Sequence, residues 1–178
     1  MEEEVSLPKR KTENRSFRID SGVLSGLEEE AQRKKVSVNT LVNQLLADYI
    51  EVERHRKRLG TVEISASAFQ LLLATASEED IARAGGSSGP SVLKAYMLSK
   101  WGHQSVPNIF RFIRENASVT GLYDYSETAS APKTITLTHS MGKRWSIYMA
   151  SFFSAAFEDA GQKIQVEVAE QAIWIKLL

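Results

Sequence analysis

The hydrophobic period of the chain changes once between residues 13 and 50, and this change limits the folds open to the region. Phe17 and Ile19 alternate with polar side chains, as in a strand whose two faces differ. Two stretches with helical spacing follow, at residues 21–35 and 36–50, and only a tight turn separates them. The sequence therefore predicts a strand followed by two helices.

A single chain can neither pair the backbone of the predicted strand nor bury the apolar surface of the second helix. A lone strand leaves its backbone donors and acceptors unpaired, and no second strand is predicted nearby. The second helix has more apolar surface than the short first helix can cover. Its apolar residues are Val38, Leu41, Val42, Leu45, Leu46, Tyr49 and Ile50. The unpaired strand and the uncovered apolar surface both predict that a second copy of the chain completes this fold.

The order of elements over about residues 13–55 resembles the ribbon-helix-helix superfamily of the Arc, MetJ and CopG type. In that superfamily two strands, one from each chain, pair into a ribbon that enters the major groove. The resemblance implies a homodimer that binds double-stranded DNA. By position, Asn14, Ser16 and Arg18 would read the bases, because arginine suits guanine, asparagine suits adenine and a hydroxyl is permissive.

The resemblance also implies a second set of residues that contact phosphate. These are Ser37, Val38 and Asn39 at the start of the second helix, and Arg15, Lys9, Arg10 and Lys11 in and before the strand. A helix start offers free amides and a positive dipole end to an anion. Arg15 shares the strand parity of Phe17 and Ile19, so its direction stays open. The basic run at residues 9–11 is read equally as a solvated arm.

Charge is distributed unevenly along the 178 residues. The chain has 22 basic and 22 acidic side chains, which excludes a protein that binds nucleic acid with a uniformly basic surface. Residues 9–60 have a net charge of +4, whereas residues 61–178 have a net charge of −1. Cysteine is absent, and no stretch resembles a signal peptide or a membrane span. We expect a cytoplasmic, nucleoid-associated protein without disulfides.

The sequence predicts three regions: a flexible arm at residues 1–12, a ribbon-helix-helix domain at 13–58, and a mixed α+β domain at 61–178 for effector sensing or oligomerisation. Residues 51–60 are interpreted as a helical exit and hinge. Within the second domain the predicted helices are residues 66–76, 78–84, 91–101, 107–115 and 142–160. The predicted strands are residues 61–65, 118–128 and 134–138 and a final hairpin around Glu170 and Gln171, and the stretch GGSSGP at 85–90 is predicted to be a loop.

No enzyme, cofactor or metal site is predicted. His55, His103 and His139 lie far apart in the sequence, and no nucleophile or phosphate-loop motif is present. A ribbon-helix-helix followed by a mixed domain is similar to the nickel-responsive repressors, but their histidine-rich strand and cysteine ligand are missing here.

Two features of the second domain are open to a ligand. His139, Lys143, Arg144 and Trp145 lie at a strand-to-helix junction, which is either a site for an anionic effector or a structural turn. The helix at 142–160 is apolar over much of its circumference. Its cover is the domain's own sheet, a dimer partner or an apolar ligand.

The first hypothesis is a dimeric, sequence-specific transcriptional regulator, most simply a repressor, whose second domain senses an effector or joins dimers into a tetramer. The alternative is an interaction protein of the antitoxin or partition type. In that case the N-terminal module serves as a dimeriser, and the C-terminal region binds a partner protein.

Overall fold

A computed structural model describes residues 12–128 and 133–178 of the chain. It divides into two compact units, one ending at Leu45 and the other comprising Leu46–Leu178. Helices and a four-stranded antiparallel sheet are both present, so the predicted mixed α+β class is confirmed. Most of the predicted N-terminal arm, residues 1–11, lies outside the described residues.

Two predicted helices are confirmed at the N-terminal end, as α1 (Ser21–Lys34) and α2 (Val38–Asp48). The Asp20 carboxylate accepts a hydrogen bond from the Gly22 amide at 2.8 Å, which starts α1. Lys35 adopts a left-handed conformation with φ 56° and ends that helix. Ser37 Oγ accepts a hydrogen bond from the Thr40 amide at 3.0 Å, so this serine, which was expected at the start of the second helix, caps α2.

The strand predicted before α1 is not formed in the single chain. Residues 12–20 belong to no helix or strand. A strand is stabilised by hydrogen bonds to a neighbour, and the sheet of the described residues lies wholly within residues 124–177.

The second unit contains the remaining elements. After α2 the chain makes a π-helical turn (Tyr49–Glu53) and continues as α3 (Arg54–Arg58), α4 (Ala66–Thr75), α5 (Glu78–Trp101), α6 (Val106–Thr120), β1 (Asp124–Glu127), β2 (Thr134–Thr138), α7 (Lys143–Asp159), β3 (Ile164–Val168) and β4 (Ala172–Leu177). The predicted helices at 66–76 and 142–160 and the closing hairpin are thus confirmed.

The predicted helical exit at 51–60 is present, and it packs against α5. His55 is buried, and its Nδ1 lies 3.0 Å from Ser99 Oγ. Lys100 is also almost fully buried and pairs with Glu51 at 3.2 Å and Glu115 at 2.7 Å. Burial of these polar groups is tolerated because each has a partner.

The loop predicted at GGSSGP is wrong, because residues 85–90 lie inside the continuous helix α5. Gly85 and Gly89 are buried where α5 crosses α7. A Cβ on Gly85 would lie 2.5 Å from the Tyr148 carbonyl oxygen, so the absence of side chains lets the two helices approach. Local breakers are overridden here by packing that only the tertiary fold supplies.

Two predicted strands are also corrected. Residues 61–65 form no strand and pair with no strand of the described residues, and Val62 and Ile64 are exposed there. The strand predicted at 118–128 is reduced to β1, since α6 continues to Thr120 and ends at Gly121 with φ +62°. A positive φ favours glycine and stops the helix.

The sheet has the order β1-β2-β4-β3, with every neighbouring pair antiparallel. Ile135 pairs with Ile175, and Leu137 pairs with Ile173, so four buried side chains lie side by side on the two central strands. Helix α7 packs on this sheet and on α5, with Phe153 and Phe157 in the core. The apolar helix is therefore covered largely by its own domain.

Candidate functional site

The three residues expected to read DNA bases are all exposed in the segment before α1. Asn14, Ser16 and Arg18 alternate with Arg15 and Phe17, and no strand of the described residues pairs with this segment. Arg15 contacts Glu13 at 3.4 Å across an exposed surface. Such a pair is weak in water, so Arg15 can exchange it for another anion.

Apolar side chains of the same region are also exposed. Phe17 is 75% exposed and Ile19 is 44% exposed, while Val23 and Leu24 on α1 are 56% and 38% exposed. Exposure of several apolar side chains in one short region is unfavourable in water and is typical of a surface that binds a partner.

The structure describes only some of the residues that are expected to contact phosphate. Val38 and Asn39 contribute the first amides of α2, and Ser37 caps the helix through the Thr40 amide. An anion at this helix start would meet the positive end of its dipole. Lys9 and Lys11, with Arg10, lie outside the described residues.

The four residues of the expected effector site have separate environments. His139 Nδ1 accepts the Met141 amide at 3.1 Å, and its Nε2 lies 2.8 Å from the buried Ser146 Oγ. Burial lowers the pKa of His139, which favours its neutral form. Its hydrogen bonds thus fix the loop that leads into α7.

The start of α7 already meets a carboxylate of the protein. The Lys143 amide donates to Glu170 Oε1 at 3.3 Å, and Lys143 Nζ lies 3.5 Å from Glu78. Arg144 is exposed and lines the same groove as the two glutamates. A free anion would have to displace Glu170, so the geometry favours the structural turn over the effector site.

Trp145 lines a different feature, an apolar cavity of about 170 Å³ in the second unit. Its walls come from α6, the following turn and α7: Phe112, Asn116, Thr120, Leu122, Tyr123, Trp145, Tyr148, Met149, Phe152 and Phe153. A groove of about 630 Å³ adjoins the cavity and shares Trp145, Tyr148, Thr120 and Leu122 with it. The cavity is thus reached from the surface.

The polar groups in the cavity wall are almost all satisfied by the protein. Tyr123 Oη donates to the Ile113 carbonyl at 3.1 Å, and burial raises the pKa of Tyr123 so that it stays a donor. Thr120 Oγ1 donates to the Asn116 carbonyl at 2.8 Å. Trp145 Nε1 is buried and has no hydrogen-bond acceptor among the described residues, and it has almost no accessible surface toward the cavity or the solvent.

No protein-family profile matches this sequence, and no curated protein is significantly similar to it. Within residues 12–128 and 133–178, no three His, Cys, Asp or Glu side chains are grouped so that they could hold a metal ion. None of the helices described there combines the length and apolar character needed to cross a membrane.

Sequence reasoning singled out the apolar circumference of α7 but not the cavity beside it. The cavity depends on Asn116, Thr120 and Leu122, which the sequence placed in or near a strand. Their position became visible only when α6 was found to continue to Thr120. The apolar excess on α7 was the available signal.

Proposed function

We propose that this protein is a dimeric, sequence-specific DNA-binding regulator, most simply a repressor. The observation that carries the proposal is the segment at residues 14–19. There, exposed polar side chains alternate with exposed Phe17 and Ile19 directly before two capped helices. A strand pairing with a second copy would place the two kinds of side chain on opposite faces of a ribbon.

The exposed apolar side chains of the N-terminal region support dimerisation. Full burial of a side chain such as phenylalanine or isoleucine contributes roughly 1.5–3 kcal/mol relative to exposure. Phe17, Ile19, Val23 and Leu24 therefore supply a driving force that the single chain does not use. Backbone pairing of two strands would also satisfy the donors and acceptors of residues 14–19.

The chemistry of the opposite face of the proposed ribbon supports DNA binding. Arg18 can donate two hydrogen bonds to guanine, and Asn14 can make a bidentate contact with adenine. The hydroxyl of Ser16, which lies between them, is compatible with either adenine or guanine. In the proposed complex, Arg15 and the start of α2 contact phosphate and set the register of the ribbon on the duplex.

The test is selection of bound duplexes from a randomised DNA pool, with the full chain, in a series of salt concentrations. We expect enrichment of a repeated half-site, because a symmetric dimer reads two of them. The oligomeric state is measured in parallel by sedimentation. Occlusion of a promoter containing the enriched site, with loss of transcription in vitro, would support repression.

The opposite result has a clear meaning. Weak binding with the same affinity for all DNA sequences, lost as the salt concentration rises, would contradict the proposal of a sequence-specific regulator. A stable dimer under those conditions would direct attention to the antitoxin or partition type of function, in which the second unit binds a protein.

A further inference from the structure

We propose that one face of α3, formed by Arg54, Lys57 and Arg58 and called here the α3 basic face, binds the phosphate backbone of duplex DNA. This contact rests on the DNA-binding role proposed above and adds to it a surface that does not read sequence. Its test measures the salt dependence of binding, whereas the proposed regulator is tested by sequence preference, so the two can fail separately.

The three cations lie on the same side of the helix. They occupy positions i, i+3 and i+4, which are neighbours on a helix surface. All three are exposed, whereas His55 between them is buried. The rise of a helix places Arg54 and Arg58 about 6 Å apart along its axis. Their long side chains can therefore reach more than one phosphate of a strand.

No carboxylate of the described residues neutralises the α3 basic face. The two glutamates of the preceding turn are paired with other cations. Glu51 lies 3.2 Å from Lys100, and Glu53 lies 2.9 Å from Arg56. Within residues 12–128 and 133–178, none of the three cations of the face forms an ion pair. Their charge is thus open to an external anion.

The contacts that the α3 basic face does make are with neutral groups. Arg54 Nε donates to His55 Nε2 at 3.2 Å, and Lys57 Nζ lies 5.5 Å from the centre of the Tyr49 ring. Burial lowers the pKa of His55, and the nearby charges of Arg54, Lys100 and Arg58 lower it further. None of these contacts removes positive charge from the face.

The crowding of like charges favours a polyanion. Cations three and four residues apart on a helix repel one another, and only part of this repulsion is offset by the negative end of the helix dipole. Duplex DNA offers about one negative charge per 1.7 Å of its axis, so each cation would gain a phosphate beside it. The exposed face of α3 contains no apolar side chain, whereas a helix that lies in a membrane surface needs an apolar face.

The test compares the unaltered full chain with the triple variant Arg54→Gln, Lys57→Gln and Arg58→Gln. Glutamine removes the charge and is a good helix former, so α3 should remain folded. Binding to a labelled duplex of arbitrary sequence is measured by fluorescence anisotropy over a series of salt concentrations. Circular dichroism checks the fold of each variant.

The matched control removes the same charge from exposed positions elsewhere in the second unit. It is the triple variant Lys94→Gln, Arg144→Gln and Lys163→Gln. These three residues are scattered over the unit, so they form no common face on one helix. We expect the control to keep the salt dependence of the unaltered protein.

Each phosphate contact contributes about 0.9 to the slope of log affinity against log salt concentration. Loss of three contacts should thus lower the slope by about 2.7 per bound chain. Between about 50 and about 200 mM salt, the unaltered protein should lose at least about 40-fold more affinity than the triple variant. The ratio of affinities for selected and scrambled duplexes should not change, because phosphate contacts carry no base information.

Single variants decide the question if the triple variant does not fold. Arg58→Gln should lower the slope by about 0.9 per bound chain. Arg58→Lys should retain the slope, because a phosphate contact needs only the positive charge. Loss of the slope in both variants alike would assign Arg58 a structural role and contradict the phosphate contact.

Three further outcomes would overturn the proposal. They are an unchanged slope in the triple variant, an equal fall in the control variant, and no binding of DNA by the unaltered protein. Vesicles of two parts phosphatidylcholine and one part phosphatidylserine form a second arm of the test. Vesicle binding that the triple variant abolishes, with an unchanged DNA slope, would assign the face to a lipid headgroup instead. A slope that falls as expected in a protein without sequence preference would support this contact and contradict the regulator.

Discussion

Gly89 in α5 lies so close to Phe152 in α7 that a Cβ atom on the glycine would be only 2.1 Å from the phenylalanine carbonyl oxygen. That oxygen belongs to the backbone and cannot turn away. We therefore expect Gly89→Ala to force α5 and α7 apart and to lower the free energy of unfolding by about 1–3 kcal/mol. Urea unfolding followed by circular dichroism measures this change.

The matched control is Gly86→Ala in the same helix. No atom lies within 4 Å of a Cβ at Gly86, so alanine adds no clash there. Replacing a glycine inside a helix then raises stability by about 0.5–1 kcal/mol. Equal effects of the two substitutions would contradict the close crossing of α5 and α7.

Phe17→Ala should weaken the proposed dimer. Phe17 is 75% exposed in the single chain, so its loss should have little effect on monomer stability and a large effect on association. We expect the dimer dissociation constant to rise by at least about tenfold, measured by sedimentation over a range of concentrations. Val62→Ala, another exposed apolar residue outside the N-terminal unit, should leave association unchanged. A dimer unaffected by Phe17→Ala would exclude this side chain from the interface.

Arg18→Ala should remove the sequence preference at the base position that Arg18 reads, without dissociating the dimer. Each lost bidentate base contact costs about 1–3 kcal/mol, and the preference at one position of the half-site should disappear. Binding to selected and scrambled duplexes is compared by fluorescence anisotropy. Arg83→Ala, an exposed arginine on α5, serves as the control for lost positive charge. Dissociation of the Arg18→Ala dimer would instead assign Arg18 a structural role.

His139 should make stability fall in mild acid. Burial lowers its pKa from the ordinary 6.5, and its Nδ1 is engaged as an acceptor of the Met141 amide. The unfolded chain then binds the proton more readily, so stability is complete above about pH 6.5 and decreases as pH falls below that value. In His139→Gln the urea midpoint should change less between about pH 7.5 and about pH 5.5. The exposed His103→Gln is the control, and an identical effect there would contradict the assignment.

A second pH dependence is expected at the edge strand β1. Two hydrogen bonds lower the pKa of Glu127 from 4.5 to about 2. The larger contribution comes from Lys133 at 2.8 Å and the smaller from Tyr125. A lowered carboxyl pKa stabilises the folded chain above about pH 4.5, and this contribution is lost as pH falls toward 2. The pair is partly exposed, so the effect should be small and should shrink in salt.

Lys133→Met should reduce this acid-dependent loss of stability, measured by urea unfolding at intervals from about pH 5 to about pH 2. Glu167→Gln on the edge strand β3 removes an exposed carboxylate without this partner and should leave the loss in place. If Lys133→Met behaves like the unaltered protein, the ion pair does not contribute to the acid transition.

The sequence determined those helices and strands whose caps, hydrophobic spacing and turns lie within a few neighbouring residues. Asp20 and Ser37 cap the first two helices through their own side-chain oxygens, directly before the helical spacing that predicted those helices. The period of residues 142–160 and the turn at Glu170 likewise predicted α7 and the closing hairpin. In each case the information is contained within a few residues, because capping and amphipathic spacing act over one or two turns of chain.

Only the tertiary structure decided the features that depend on distant contacts. Gly85 and Gly89 read as a loop by propensity, yet the crossing with α7 uses their missing side chains to keep α5 continuous. The cavity exists because Trp145 and Leu122, far apart in the chain, line the same space. The sequence by itself determined the caps, periods and charge distribution, whereas close approach and enclosed space arise only from packing between elements.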